Sequence, residues 1–370
     1  MGPTKAYILH KHLVHNLQLI RNAVGQRKIM AVVKANAYGH GSIEVAKTML
    51  ENGADYLGVA FHEEGIELRE AGISAPILVF GAQLTDFFES HLLFDLEITL
   101  SRPEQIAPLR ELCKKCGKTA HVHIKIDTGM GRVGFMADSN LDPVYNLLQD
   151  EHIEVVGVYT HLSSSDEPDL SYTREQIERF RKIQYKIKKR STKPILFHTA
   201  NSAAIMRLPE AYFDMVRPGV MLYGNAPGPD FDLNWDLKEA MRFVSQVTSV
   251  KRLPEGHPVS YSRRYHTKQE TEIAVVPVGY ADGYNRRLTN AGELLIRGQR
   301  FPVAGTVCMD QILSDLGTNS SVQVGDEVVL FGEQDNARIS IIDLCRKLET
   351  IPYEVTCCVS KRVPRVHIME

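Results

Sequence analysis

No stretch of this sequence is apolar for long enough to span a bilayer, and no block of one charge sign interrupts it. The formal net charge is only -2 over 370 residues. Nucleic acid or an anionic membrane surface is therefore not expected as the main partner. Cysteine is scarce, with six residues, too few for a disulfide scaffold in a chain this long. Cys113 and Cys116 form a lone Cys-x-x-Cys with no second pair at zinc-site spacing, so unpaired thiols in a reducing, cytoplasmic compartment are expected. Nothing here resembles a secretory leader, and none is expected: the first thirty residues carry Lys5, His10, Lys11, His12 and His15 and no apolar core. Met1-Gly2 opens like a myristoylation motif, but Ala6 stands where a hydroxyl residue is required.

What is present is an ordinary globular composition, 44% hydrophobic and 24% charged. The length favours one large domain plus a smaller one. Short apolar runs alternate with amphipathic stretches up to about residue 225. Strands are expected at Ile29–Val33, Tyr56–Ala60, Ile77–Phe80, Leu96–Thr99, His121–Ile126, Val155–Tyr159, Ile195–His198 and Phe213–Val216. Helical patterns lie between them, such as Ser42–Asn52, Glu63–Glu70 and Ser171–Lys189. Eight strands in βα alternation predict a (β/α)8 TIM-type barrel rather than an open doubly wound sheet. Beyond about Pro227 strand-like runs dominate, at Ala274–Val278, Glu293–Ile296, Pro302–Val303 and Glu327–Phe331, with one helical piece at Ile339–Leu348. The expected division is a barrel domain over 11–227 and a mostly β C-terminal domain over 228–370, with residues 1–10 as a candidate addition to the second.

The chemistry-bearing residues gather at the predicted strand ends. Lys34 closes the first apolar strand and opens the loop Ala-Asn-Ala-Tyr38-Gly-His-Gly41. The C-terminal ends of barrel strands face the active site. A lysine there is partly desolvated, which favours the neutral, nucleophilic amine, although a lysine merely reaching out from a strand end explains it equally well. Strand five runs into Asp127-Thr-Gly-Met-Gly-Arg132, strand six ends at Thr160-His161, strand seven at His198-Thr-Ala-Asn201-Ser202, and strand eight at Arg217-Pro-Gly219-Val220. Backbone amides at Gly219-Val220 with the Ser202 hydroxyl suit a phosphate near the last two strands. Other features have plainer explanations. His10, His12 and His15 read as the solvated face of an N-terminal helix. His121 and His123 read as sharing one strand face with no third ligand, so no metal is predicted. Cys308 reads as packing, and His40 as a loop-folding residue.

The ordered set AVVKANAYGHG (31–41), HIKIDTGMGRVG (123–134), GVYTHLSSSDE (157–167), HTANSAA (198–204), VRPGVMLYG (216–224), VSY (259–261), VGYADGY (278–284), GTVCMDQ (305–311) and RVPR (362–365) resembles the alanine racemase family of fold type III pyridoxal 5'-phosphate (PLP) enzymes. The resemblance covers almost the whole chain. It implies Lys34 as the lysine that bonds PLP and as one catalytic base, and Tyr261 as the opposing base, supplied by the partner of a homodimer with shared active sites. It implies a cofactor-binding set of Tyr38, Ser202, Gly219, Val220 and Tyr353 at the phosphate, Arg217 at the pyridine nitrogen, and Arg132 at the phenolic oxygen. His161 is implied to pack on the ring and connect Arg217 to Tyr261. Asn201 belongs to the same cofactor-binding segment. Arg132, Met309 and Tyr280 are implied on the substrate side. Lys125 matches a lysine often carbamylated in the family.

Racemisation needs a base on each face of a flat, cofactor-bound amino acid, and an amine opposite a phenol meets that need. The expected activity is interconversion of L- and D-alanine, a step in supplying cell-wall precursors. A serine or broader racemase is the first alternative, and a non-catalytic PLP-binding protein the second. Three departures from the family pattern bear on the choice: Tyr7-Ile-Leu9-His10 replaces an acidic element, Ser262-Arg263-Arg264 replaces a glycine after Tyr261, and Lys361 replaces a common aromatic.

Overall fold

The computed structural model describes residues 2–232 and 234–369. Met1 lies outside them, and with it the first residue of the failed Met1-Gly2 motif. The chain forms two compact units: Val14–Ala37 with Ser42–Leu222, and Met1–Leu13 with Tyr38–Gly41 and Tyr223–Glu370.

The first unit is a nearly closed parallel barrel, as the alternation of runs predicts. Its strands are Lys28–Val32, Tyr56–Val59, Ile77–Val79, Glu97–Leu100, Ala120–Asp127, Ile153–Tyr159, Leu196–His198 and Met215–Val216. Strands one to seven pair in succession, and the eighth returns to the first with Met215 opposite Lys28 and Val216 opposite Ile29. Only the seam between strands seven and eight lacks a ladder. It is bridged by Asp214, whose N–H donates to Phe197 O and whose carboxylate accepts from Phe197 N–H, both at 2.9 Å. Strand eight is shorter than expected because Phe213 takes a left-handed φ of 50° and cannot join a ladder.

Two layers of side chains explain the strand sequences, because parallel barrel strands are buried on both faces. Outward, Ile98, Leu100, Val122, Ile124, Ile126 and Val158 pack with Leu109 and Cys113 of the helix Ile106–Cys116 and with Phe180, Ile183 and Ile187 of the helix Ser171–Lys188. Inward, Met30, Tyr56, Leu78, Tyr159 and Met215 form a smaller apolar plug. The remaining inward positions are polar: Glu97, Thr99, His123, Lys125, His198 and Arg217 are all buried.

His121 and His123 alternate with Ala120, Val122 and Ile124 of the outer cluster and so share a strand face, but His121 is exposed while His123 is fully buried. Opposite them strand six bulges, pairing Val155 with Val122 and Gly157 with His123. Gly157 makes room for the His123 ring. A Cβ there would lie 2.1 Å from His123 Nδ1.

The second unit holds a mainly antiparallel sheet in the order Gln299–Pro302, Glu293–Ile296, Glu327–Gln334, Met241–Gln246, Lys5–Leu9 and Arg365–Ile368, with Ala337–Ile339 beside Glu327–Gln334. Only the pairing of Lys5–Leu9 with Arg365–Ile368 is parallel. A three-stranded sheet joins Ser249–Leu253, Thr271–Val276 and Ile312–Asp315, and a short hairpin pairs Pro258–Val259 with Tyr265–His266. The helix Ile341–Leu348 begins two residues later than its apolar pattern suggests. Ser340 and Asp343 close a reciprocal capping box there, with bonds of 3.0 and 2.9 Å.

The N-terminal histidines are not a uniformly solvated face. His10 is buried, and its Nε2 lies 2.7 Å from Nδ1 of His367. The contact comes from the strand pairing of Lys5–Leu9 with Arg365–Ile368, which places His10 where helix periodicity alone leaves it outside.

Candidate active site

Lys34 follows the first barrel strand and is half-buried. The next four residues turn in the left-handed sense: Ala35, Asn36, Ala37 and Tyr38 all have φ between 51° and 54°. None is glycine, so the turn carries about 1–2 kcal/mol of unfavourable energy per residue. Local bonds hold it. Glu64 Oε1 accepts from the Ala35 N–H at 2.6 Å, Glu64 Oε2 accepts from Ala60 N–H at 2.7 Å, and Asn36 Oδ1 accepts from Ser42 N–H at 2.9 Å. One carboxylate thus ties the loops that follow strands one and two.

The glycine-rich loop after strand five binds its own aspartate. Asp127 accepts four backbone N–H bonds, from Gly129, Met130 and Gly131 at 2.8–3.1 Å and from Arg132 at 3.0 Å. Burial opposes its ionisation most strongly, yet the four donors together outweigh it and hold the carboxyl below its usual range. The loop therefore presents the exposed Arg132 side chain rather than cradling a phosphate.

At the ends of strands seven and eight, Ser202 Oγ accepts from the N–H of Gly219 at 2.9 Å and of Met221 at 3.4 Å. The Ser202 hydroxyl and the turn after strand eight are thus brought together, with Ser202 accepting from two of its amides. Asn201 caps the following helix: its Oδ1 accepts from Ala204 N–H and Ser165 Oγ.

Arg217 is buried inside the barrel. Its Nη1 lies 2.9 Å from His198 Nδ1, and its Nη2 donates to the carbonyls of Thr160 and Thr199 at 2.8 and 3.0 Å. Among the described residues no carboxylate touches it, and burial lowers its pKa to about 10. The imidazole bonded to Arg217 is thus that of His198. His161, implied to connect Arg217 to Tyr261 of the partner subunit, makes no hydrogen bond to Arg217 among the described residues. His161 feels Arg217 through charge: burial, then Arg217, Lys125, Arg132 and Lys34, push it well below the usual imidazole range. Lys125 sits 4.8 Å above the Tyr159 ring with its Nζ unpaired among the described residues. Burial and then the Arg217 charge hold it well below the usual amine range, despite Asp127. Arg217, Arg132 and Lys34, with Lys125 beside them, suit a ligand that brings its own anionic groups. PLP does so, and the Ser202–Gly219 cluster, the carboxylate-free Arg217 and the strand-end Lys34 fit its phosphate, ring nitrogen and aldehyde.

The second unit contributes a separate group. Tyr38, fully enclosed, stacks near Tyr223 and Tyr353, with ring centroids 4.9 and 5.8 Å away. Burial, reinforced by Tyr353 and Cys357, drives its phenol far above the normal tyrosine range. His40 also packs on Tyr223, at 4.5 Å, and its Nδ1 lies 3.1 Å from the Tyr38 carbonyl.

Tyr261, Tyr280 and Met309 share one loop cluster and are all exposed, Tyr261 by 71%. The amides of Tyr280 and Ala281 donate to the carbonyls of Cys308 and Met309, both at 3.1 Å. Ser260 Oγ donates to Thr306 O at 2.7 Å, and Thr306 Oγ1 donates to Tyr261 O at 2.9 Å. Ser260, Ser262 and Arg263 all have positive φ, a strained path that fixes the direction of Tyr261. Tyr284, by contrast, is a core aromatic.

The family model for the alanine racemase N-terminal domain matches residues 8–227, and that for the C-terminal domain matches 240–367. The chain belongs to the alanine racemase family. "Alanine racemase 2" of Caldanaerobacter subterraneus subsp. tengcongensis is 45% identical, over 99% of this chain and 95% of that protein. Within the alanine racemase family the solved enzyme of Clostridium difficile 630 superposes with a TM-score of 0.95 at 38% identity, covering 100% of this chain and 97% of its own. A histidine racemase from Leuconostoc mesenteroides subsp. sake shares the fold, with a TM-score of 0.91 at 26% identity, covering 99% and 98% of the two chains. Members of the alanine racemase family are PLP-dependent isomerases.

Sequence reasoning missed two buried imidazoles beside Arg217. His123 and His198 lie end to end, with His123 Nδ1 2.9 Å from His198 Nε2. The signal was present in strand five, where His123, Lys125 and Asp127 alternate with apolar residues.

Two outcomes follow from this geometry. Replacing Asp127 by Asn turns an acceptor towards backbone donors into a mixed group, and should destabilise the protein by about 2–4 kcal/mol in chemical denaturation. Because the folded-state pKa is depressed, the Asp127 contribution is complete above the unfolded value near pH 4 and disappears as pH falls through the folded one; the wild-type and Asp127→Asn stability curves should converge in acid. Gly305 has a φ of 85°, and a Cβ there would meet Ser260 Cβ at 2.7 Å. Gly305→Ala should therefore loosen the Tyr261 loop, lowering turnover by at least about tenfold while PLP absorbance is retained.

Proposed function

We propose that this protein interconverts L- and D-alanine using PLP, as a cytoplasmic homodimer in which each active site draws Lys34 from one protomer and Tyr261 of the partner subunit. The family match along both units carries the reading, and the carboxylate-free Arg217 supports it among the site residues. PLP, when bound, disperses the negative charge left on the α-carbon after its proton departs. Lys34 holds the cofactor in the resting protein and then takes or returns the proton at its Nζ on one face. The phenol oxygen of Tyr261 does the same on the other. Arg217 donates towards the ring nitrogen and, as a cation, keeps that nitrogen unprotonated. This limits stray transamination. Ser202 with the amides of Gly219 and Val220 holds the phosphate, and Tyr38 and Tyr353 keep the phosphate role implied by the family pattern. Arg132 donates to the phenolic oxygen, His161 packs on the ring, Met309 of the partner subunit sets its backbone amide by the substrate carboxylate, and Tyr280 narrows the entrance. No helix among the described residues is long and apolar enough to cross a membrane.

The second reading is a different substrate preference. Ser262, Arg263 and Arg264 follow Tyr261 on an exposed, positively charged path, and a histidine racemase shares the fold. Rates on L-alanine, L-serine and L-histidine should rank alanine first; a higher kcat/KM on either of the others would reassign the substrate while leaving the PLP chemistry in place.

For the mechanism, Lys34→Ala and Tyr261→Phe should each lower turnover by at least about 100-fold. Mixed dimers of the two inactive variants should regain part of the activity through one intact site. Verified heterodimers with no activity would place both bases in the same chain.

A further inference from the structure

Arg217 is the end of a longer chain of hydrogen bonds through the barrel interior. His198 Nδ1 lies 2.9 Å from Arg217 Nη1, His198 Nε2 lies 2.9 Å from His123 Nδ1, and His123 Nε2 lies 2.8 Å from Glu97 Oε2. Strands eight, seven, five and four supply one residue each. A guanidinium can only donate, so His198 Nδ1 must accept and carry no proton. Neutral His198 then has its proton on Nε2 and donates to His123 Nδ1. His123, accepting there, has its proton on Nε2 and donates to Glu97, which accepts as a carboxylate. If His123 were an imidazolium, its Nδ1–H would force the His198 proton onto Nδ1, against the Arg217 donor. One arrangement of protons satisfies every bond.

We propose that Glu97, His123 and His198 are positioning residues for Arg217, forming a one-way relay that supplies its counter-charge through two neutral imidazoles. The proposal rests on the reading of Arg217 as the partner of the PLP ring nitrogen. A carboxylate in direct contact with Arg217 would stabilise the guanidinium, but would also bring negative charge beside that nitrogen and favour its protonation. Two interposed imidazoles keep the carboxylate remote while each bond polarises the next.

The surroundings are built to hold both rings. Tyr159 stacks on His198 at 4.9 Å with an interplanar angle of 9°, and its hydroxyl lies 2.9 Å from Thr99 Oγ1. The groups facing His198 are Arg217, Lys125, His123 and Tyr159; those facing His123 are Glu97, His198, Tyr56 and Tyr159. Burial, and then the Arg217 charge, push His198 well below the ordinary imidazole range, in keeping with the neutral ring. Tyr159, raised to about 12 by burial, stays a phenol. The missing side chain at Gly157 is what allows His123 to reach His198.

The tautomers can be read without activity. Long-range 15N–1H spectra of the cofactor-free protein should show His123 and His198 both as Nε2–H imidazoles. A protonated Nδ1 on either ring would overturn the relay. Glu97→Gln keeps the shape and removes the charge. In the reconstituted holoenzyme it should move the 15N signal of labelled PLP ring nitrogen, mix the His123 and His198 tautomers, and lower racemisation about tenfold, the effect of roughly one pKa unit. Glu175→Gln, on the exposed face of the helix Ser171–Lys188, should do none of these. Gly157→Ala, which displaces His123, should reproduce the ring-nitrogen shift. Unchanged tautomers and ring-nitrogen signal in Glu97→Gln would sink the proposal. Failure of the functional reading looks different: wild-type protein would then show no PLP absorbance and no racemisation, whatever the tautomers of the apoprotein.

Discussion

A guanidinium buried in a barrel with no carboxylate against it is the constraint on which this site depends. Placing a cation there is unfavourable unless its donors are matched, and Arg217 is matched by two backbone carbonyls and one imidazole nitrogen. That choice of partners leaves the positive charge without a carboxylate in direct contact, as the proposed role beside a ring nitrogen requires. It also explains why the lumen is polar. His198 needs Tyr159 to hold its plane, Tyr159 needs Thr99, and His123 needs the bare backbone of Gly157. Lys125 and His161, close to the same charge, are pushed towards their neutral forms.

The loops at the strand ends solve a different problem, which is rigidity without glycine where the side chain matters. Lys34 is followed by four left-handed residues, three of them with side chains that the fold uses or buries. Glu64 and Asn36 supply the bonds that keep this turn from relaxing. The Asp127 loop takes the opposite route. Its glycines let four amides converge on one carboxylate, and the result is a stiff platform for Arg132. In both cases a carboxylate organises backbone donors, so Lys34 and Arg132 are placed by acidic groups bound to backbone amides.

The loop cluster bearing Tyr261, Tyr280 and Met309 is exposed on a single chain, although its backbone is strained and latched. An isolated surface loop gains little from such order. Order of this kind is useful when the surface meets another molecule in one fixed geometry, as a base supplied to a neighbouring protomer requires. The three residues after Tyr261 that depart from the family pattern lie on this same path, so any shift in substrate preference is a matter of loop chemistry and leaves the barrel untouched.

Much of this was legible in the residues themselves. Two-sided burial writes barrel strands as continuous apolar runs, so eight strands and their order could be read directly, and strand-end positions such as Lys34, Ser202 and Arg217 stood out. Boundaries shifted where a local conformation intervened, as at Phe213 and Ser340. The sequence did not reveal that His10 is buried, that His123 but not His121 is enclosed, or that His198 bonds Arg217. Each of these depends on a bulge, a strand pairing or a missing side chain on another element. Sequence determined which residue types reach the strand ends, because periodicity of two and 3.6 is a local property. Only the tertiary structure decided which imidazole meets which cation, since a hydrogen bond between side chains of different barrel strands is fixed by closure and register, and neither is written in any one segment.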